Sequence, residues 1–375
     1  MKRHINYHLL ALVAALTTGG LLFLATLSAP ASLKTFGNPN YYFFHQIISI
    51  AIGLMLFLVF LKLPLDWLKK LAPIFLILNI LLLILVFFPV IGTEFWGAKR
   101  WINIGGKTIQ PSEFLKITSI LYVSSLISNK LSKNTKRGNT TSSRRISNNN
   151  FTAVFLPFFI LLGVISVILI FQKDLSTLGV ITMTLLTIYF LADTPIWHTI
   201  LSLVIIISGA VSFIVFEPYR IKRFLVFLNP EVDPLGIGFQ LRQSLIAVGS
   251  GGFFGNGLGM STEKFGFLPQ AMSDSIFAIL GEELGIVGCI VLISLFLYFA
   301  WLGFKIVNKS DNKFSKLVAI GIYTWITFQA FINIMSSIGM FPLAGIPLPF
   351  FSYGGSHIVA EIAACGILLN ISKNG

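Results

Sequence analysis

Long apolar runs broken by short polar intervals set the pattern of this chain. Runs of about 17 to 25 residues recur ten times, near 9–28, 43–61, 71–92, 114–129, 152–171, 176–192, 198–216, 275–303, 317–340 and 355–371. As helices they are long enough to cross ~30 Å of hydrocarbon. A barrel would need alternating strands of about ten residues, which do not occur, and helices satisfy their own backbone in lipid. The expected fold class is therefore all-α: a polytopic membrane protein with about ten transmembrane helices forming one domain over residues 1–375. A long outer loop, 217–274, is expected between spans seven and eight and should carry interfacial helices.

Composition agrees with the pattern. The chain is 55% hydrophobic and 11% charged, where an ordinary soluble domain carries about 25% charge. A single anchor on a water-soluble domain is excluded, because the apolar runs cover most of the length. The first run follows Lys2 and Arg3, and Ala29-Pro30-Ala31 loosely resembles a cleavage site. Its apolar length and the proline argue for a retained span instead of a signal peptide. Cys289 and Cys365 both lie inside apolar runs, and the five histidines have no metal-ligand spacing. No P-loop or complete dinucleotide fingerprint occurs.

Charge changes the picture. A net +13 would suggest nucleic acid in a soluble protein, but here topology explains much of it. With the N-terminus inside, sixteen of the 27 basic residues fall in cytoplasmic segments, including Lys2, Arg3, Lys62, Lys69, Lys70, Lys305, Lys309, Lys313 and Lys316. Both termini are then cytoplasmic, and 130–150 reads as a flexible basic cytoplasmic loop that can touch anionic lipid. Eleven basic residues remain on the outer side among ten acids. Orientation gives no reason for them, and charges retained beside lipid point to a functional site.

The candidate chemistry lies in those outer intervals. Glu113 and Lys116 stand at i,i+3 after Pro111, placed to pair as a helix enters the membrane. A structural ion pair with Arg100 and Trp101 as interfacial anchors, and a charged lining for an anionic headgroup, both fit. Asp174 sits in a short turn between spans five and six; it could cap the next helix, pair with Lys116 or help hold a cation. Arg220 and Arg223 share one helical face ahead of an apolar stretch, suiting an interfacial helix whose guanidinium forks bind a diphosphate or ordinary phospholipid phosphates. A polar-apolar helix resumes over 239–244, followed by a glycine-rich loop from Gly249 to Gly259, read as flexible. Asp274 lies where the chain re-enters the membrane, either capping the helix or serving as a general base with a raised pKa. Glu282 and Glu283 follow within the span, and at most one of them can share the Asp274 face.

Taken with Gly97–Trp101, Gln110–Lys116, Gln172–Thr177, Tyr219–Arg223, Gln243–Gly252, Leu268–Gly285 and Pro347–Ser356, the chain resembles the SEDS family of FtsW/RodA/SpoVE-type peptidoglycan polymerases over nearly its whole length. The resemblance implies a ten-span SEDS-type transmembrane domain that extends glycan strands from lipid II on the outer face of the bacterial cytoplasmic membrane. It implies a class B penicillin-binding protein as transpeptidase partner, other divisome or elongasome membrane proteins nearby, and no nucleic acid. Asp274 is implied as the essential carboxylate; Trp101, Glu113, Lys116, Asp174, Arg220 and Arg223 match positions lining or bracing the cavity, and Gln243, Ser244 and Lys264 complete the substrate-binding candidates. Lys173, Ser176, Phe239, Gln270, Met272 and Ser275 depart from the usual Pro, Gly, Tyr, Glu, His and Phe. Met272 leaves Asp274 without a titratable neighbour two residues before it. Gly97-Ala98-Lys99-Arg100-Trp101 leans towards the division branch, whereas Gly345–Pro349 reads more like the elongation branch.

The expected chemistry is inverting glycosyl transfer. Asp274 takes the proton of the acceptor 4-hydroxyl while Arg220, Arg223, Lys116 and a divalent cation, Mg or Mn, are candidates for stabilising the departing diphosphate; no organic cofactor is expected. A lipid-linked-sugar flippase and a non-catalytic division scaffold are the rival readings. The clustering of charge at the outer side weighs against a flippase, which needs polar groups through the inner half as well.

Overall fold

A computed structural model describes residues 5–95, 97–136, 154–192, 197–198, 200–205, 208–209 and 218–374. Helix α1 runs from Tyr7 to Phe36. The Asn6 side chain accepts from the Leu9 N–H at its start, and Gly37, at φ 68°, closes it by donating to Leu33 O. Helices α2 (Tyr41–Lys62) and α3 (Leu65–Leu85) follow, turning at Leu63-Pro64. After the sheet described below come α4 (Pro111–Lys136), α5 (Leu156–Phe171) and α6 (Leu175–Phe190). Two shorter helices, α7 (Pro218–Leu228) and α8 (Ile237–Ser250), precede α9 (Ile276–Lys309), α10 (Lys313–Ser337) and α11 (Gly355–Asn374).

Six of these helices, α1, α2, α3, α9, α10 and α11, are long and apolar enough to cross a bilayer. The helical expectation is met, with local corrections. The third span ends at Leu85, earlier than 92, because Gly92 already begins a strand. The first part of the supposed 130–150 loop continues α4 to Lys136; residues 137–153 lie outside the described part. Only pieces of the seventh span are described, and they are helical.

Burial separates an inner helix from a rim. From His357 to Ile371 every residue of α11 is buried, whereas α2 presents Ile48, Ile52, Met55 and Leu58 outward, an apolar face suited to lipid. The two helices touch by their backbones. A Cβ at Gly366 would lie 2.6 Å from Phe57 O, so the glycine sets the helix spacing.

The outer interval before α4 holds a feature absent from the sequence reading: a three-stranded antiparallel sheet of β1 (Gly92–Phe95), β2 (Ala98–Ile104) and β3 (Lys107–Ile109). Gly105 and Gly106, at φ 59° and 82°, close the β2–β3 hairpin as a two-residue turn with both φ positive. The strands are too short and mixed in polarity to stand out beside apolar runs.

Helix α9 is broken. Gly285 has φ 64° and ψ −165°, which frees backbone groups on both sides of it. The glycine-rich loop recovers them: Asn256 N and Gly257 N donate to the carbonyls of Glu282 and Glu283, while Ile286 N and Val287 N donate to Gly252 O and Phe253 O. This pairing needs near contact of the two backbones. A Cβ on Gly285 would fall 2.4 Å from Gly255 N, and one on Gly255 would fall 2.2 Å from Glu283 O. Flexibility was the expectation for this loop; the break in α9 pins it instead. Gly285→Ala is therefore expected to destabilise the fold by about 3 kcal/mol, combining positive-φ strain with backbone overlap, measured as a lowered unfolding midpoint in detergent.

Candidate functional site

The site is assembled on a stretch without regular structure, residues 341–354, between α10 and α11. Its Leu348, Phe350 and Phe351 side chains are buried, so its backbone groups must be satisfied by protein. The side-chain partners come from five helices. Arg223 Nη1 on α7 donates to Leu343 O at 3.1 Å, and the Ser176 hydroxyl on α6 donates to Ala344 O. Two residues one turn apart on α10 take the next carbonyls: Asn333 Nδ2 donates to Ile346 O at 2.7 Å and Gln329 Nε2 to Pro347 O at 3.0 Å. Glu361 on α11 accepts from Phe350 N at 2.7 Å, and Gln46 on α2 brackets Ser352 O and Gly354 N.

Asp274 is fixed to this stretch through its neighbours. Asn333 Nδ2 also donates to Asp274 O at 2.8 Å, the Ser352 hydroxyl donates to Ser273 O at 2.6 Å, and Tyr353 N donates to Met272 O at 2.8 Å. The Asp274 carboxyl does not cap a helix. The N-cap position of α9 is Ser275, without a side-chain capping bond, and its hydroxyl instead accepts from Gln240 on α8. Arg223 closes on the carboxyl: a Cβ at Gly345 would stand 3.6 Å from Asp274 Oδ2 and 3.9 Å from Arg223 Nη2, so both side chains flank one small backbone position.

Among the described residues three non-glycine residues hold positive φ, and all border this region: Lys173 (58°), Gln270 (54°) and Phe350 (62°). Such conformations cost about 1–3 kcal/mol each and persist where the surroundings fix them. Here they bend the chain next to Asp174, ahead of Asp274 and inside the irregular stretch.

The electrostatics are those of a desolvated carboxyl among cations. Burial of the carboxyl pushes Asp274 up to about 6; the charges of Arg223 and Arg100 and a hydrogen bond from Ser273 oppose the rise without cancelling it. The residue as a whole is half-buried, with its carboxyl surrounded by protein atoms. Helix α7 is tethered by Lys222, whose Nζ lies 3.1 Å from Asp233 Oδ2, and Asp233 also accepts from Ile237 N at the start of α8. That backbone bond, then the lysine, holds the half-buried Asp233 carboxyl below its usual range.

The structure brings some of the expected residues together and disperses others. Asp274 and Arg223 meet. Arg220 lies in α7, but its side chain is outside the described part. Trp101 is half-buried on β2 opposite Thr93. Asp174 occupies the N-cap position of α6 without a side-chain capping bond and does not pair with Lys116; its carboxylate accepts from Gln110 and Ser112, at 3.2 and 3.0 Å, and stands 3.9 Å from Arg100. Lys116 pairs with Glu113 at 2.9 Å, as its spacing predicts, and donates to Gln329 Oε1 at 3.0 Å, so its buried ammonium braces α4 on α10. Ser244 is buried and Gln243 half-buried on α8. Lys264 is turned to Gly259 O and to Glu283, 3.5 Å away. Both Glu282 and Glu283 grip this loop, through Ser261, Thr262 and Gly259, where the helical wheel allowed at most one to share the Asp274 face.

Arg100, read as an interfacial anchor, is a charge neighbour of both Asp174 and Asp274. Gln329, Asn333 and Glu361 were passed over inside apolar runs. The signal was available for the first two: Trp325, Gln329 and Asn333 recur every four residues, a polar stripe along a span. As for a divalent cation, no group of three or more His, Cys, Asp or Glu residues suited to a metal occurs among the described residues. Asp274 is ringed by guanidinium charge rather than by further oxygen ligands, so these side chains do not fit a protein-built hard-cation site.

Comparison with known proteins bears on the family and the fold. A family model described as "Cell cycle protein", for FtsW, RodA and SpoVE, matches residues 7–375. A probable peptidoglycan glycosyltransferase FtsW of Coxiella burnetii is 37% identical over 94% of this chain and 92% of its own length. The stage V sporulation protein E of Bacillus subtilis is 36% identical over 97% of this chain and 96% of its own. Among solved structures, a chain of a peptidoglycan synthase complex that coordinates polymerization and crosslinking superposes with a TM-score of 0.78 at 23% identity, covering 99% of this chain and 98% of that one. The rod shape determining protein RodA of Thermus thermophilus gives 0.67 at 22% identity, covering 99% and 98%. At these identities the structural matches speak for the fold.

The Glu361 contact makes a prediction. Glu361→Gln keeps an oxygen for Phe350 N and should leave stability nearly unchanged, whereas Glu361→Ala orphans a buried N–H and should cost about 1–3 kcal/mol, read from unfolding midpoints of the purified protein in detergent.

Proposed function

Because the chain belongs to the FtsW/RodA/SpoVE family of cell cycle proteins, we propose that this multi-pass membrane protein is a peptidoglycan glycosyltransferase, polymerising glycan strands from a polyprenyl-diphosphate-linked disaccharide such as lipid II. The observation that carries the reading is the desolvated Asp274 carboxyl held beside Arg223 and near Arg100.

The chemistry requires a base and an anion site side by side. Asp274 takes the proton from the acceptor's 4-hydroxyl, and the freed oxygen attacks the donor's anomeric carbon. The bond from that carbon to the diphosphate breaks with both electrons leaving on the diphosphate oxygen, so no proton is needed there. Charge stabilisation is needed, and guanidinium forks supply it. Arg223 and Arg100 are in place for that role, and Arg220 belongs to the same short helix as Arg223. Lys116 braces helices rather than meeting the leaving group. No step is routed through a metal.

The curated relatives carry division and sporulation names, which supports a role in septal wall synthesis over shape maintenance, in line with the Gly97–Trp101 stretch. A crosslinking transpeptidase as partner is supported by the synthase complex that shares the fold. We place the site on the outer face, with both termini inside, on the distribution of basic residues.

Polymerisation of lipid II by the purified protein with its transpeptidase tests the reading. Asp274→Asn should lower the rate by at least ~10²-fold, the lower end of what general-base loss costs; equal glycan from both proteins would remove Asp274 from the mechanism. The pH profile is a second check. Only the ionised carboxylate accepts a proton, so activity should fall as pH drops through about 6 and level off above it. Arg223 opposes the upward shift of Asp274, so Arg223→Ala should move the inflection to higher pH.

A further inference from the structure

At the end of the bundle opposite Asp274 lies a groove of about 340 Å³, walled by the C-terminal end of α9, the start of α1 and the end of α11. We propose that this groove binds the phosphodiester headgroup of an anionic phospholipid. Lys305 and Lys309 stand one turn apart on its rim, both exposed, and among the described residues neither lies within ion-pair distance of a carboxylate. Lys305 Nζ sits 3.4 Å over the Trp301 ring, which in turn stacks on Tyr298 at 5.5 Å. A ring face holds the ammonium in place without neutralising it. Two positive charges without a carboxylate partner among the described residues, on an aromatic shelf, make an anion site.

The surroundings select a lipid over a soluble anion. Leu302 and Ile306 floor the groove and are buried, and from Trp301 an exposed apolar face runs back along α9 through Leu297 and Ile290, where acyl chains can lie. Trp and Tyr at this depth mark the headgroup level of a bilayer. The far wall is fixed, since Asn6 N donates to the Ser372 hydroxyl and ties the two ends of the chain together. Basic pockets between spans, on the side rich in Lys and Arg, take anionic headgroups in this way. The inference does not depend on the proposed polymerase activity.

Native mass spectrometry of the full-length protein, released from micelles holding phosphatidylglycerol and phosphatidylcholine in equal amounts, tests it. The wild type should retain phosphatidylglycerol in preference. Lys305→Ala with Lys309→Ala should weaken that retention about 30-fold, equivalent to about 2 kcal/mol at ~1 kcal/mol per basic residue near the surface. Lys62→Ala with Lys70→Ala removes the same charge at the same end but outside the groove and should leave retention unchanged. Lys305→Arg with Lys309→Arg keeps the charge and should keep the lipid, which makes the test independent of whether the alanine variant folds. Equal loss in the Lys62 and Lys70 variant, equal retention of phosphatidylcholine by the wild type, loss of lipid in the arginine variant, or displacement of the lipid by millimolar inorganic phosphate would each overturn the proposal.

Discussion

The rest of the site depends on one constraint: a stretch of backbone without regular structure, 341–354, packs among the helices with residues 348–352 buried, and its polar groups must find partners where water is scarce. An unsatisfied group there costs several kcal/mol, so the side chains that reach it are fixed by necessity. They come from α2, α6, α7, α10 and α11. One accounting requirement thus ties five helices to a single segment. That segment in turn carries Asp274, because Asn333 bonds Ile346 O and Asp274 O with the same amide, and Ser352 and Tyr353 hold the two residues before it.

A second break in regular structure works by the same rule. Helix α9 opens at Gly285, and the glycine-rich loop supplies the lost hydrogen bonds. The two buried glutamates beside the break accept from Gly259, Ser261 and Thr262 and so fasten the remainder of the loop. Lys264 neutralises part of that charge. The loop's glycines therefore serve close backbone approach in a packed joint, with Gly251 also pressed within 1.9 Å, as a virtual Cβ, of Gly281 O.

Much of this was legible in the sequence, for reasons that also explain the omissions. Apolar runs of membrane length located the helices because lipid forces every spanning segment to announce itself by composition. The Glu113–Lys116 pair was legible because i,i+3 geometry within one helix is local. Asp274 and Arg223 stood out as charges with no reason in topology. What stayed hidden were relations between segments: which of several cations Asp174 meets, that Arg100 comes near Asp274, that Lys264 turns to Glu283. Gln329, Asn333 and Glu361 were hidden for a different reason. Their partners are backbone groups of a distant irregular stretch, and a sequence records no unpaired carbonyls. The short sheet went unread because two glycines and seven residues of mixed polarity carry too little pattern beside runs three times their length.

The contest at Asp274 shows how these constraints make a reactive group. Two positive charges act on it, those of Arg223 and Arg100. In open water such neighbours would drive a carboxyl well below its usual range. Here the carboxyl rises to about 6 because burial removes more hydration than the cations return. A base held at that level is ionised near neutral pH yet keeps a useful affinity for a proton, which is the balance that general-base chemistry asks for. The same cations suit a second task, since an arriving diphosphate brings the negative charge that a single carboxylate does not supply. Desolvation by the irregular stretch and its helices is thus what separates the two roles, leaving one group to accept the proton and its neighbours to hold the anion.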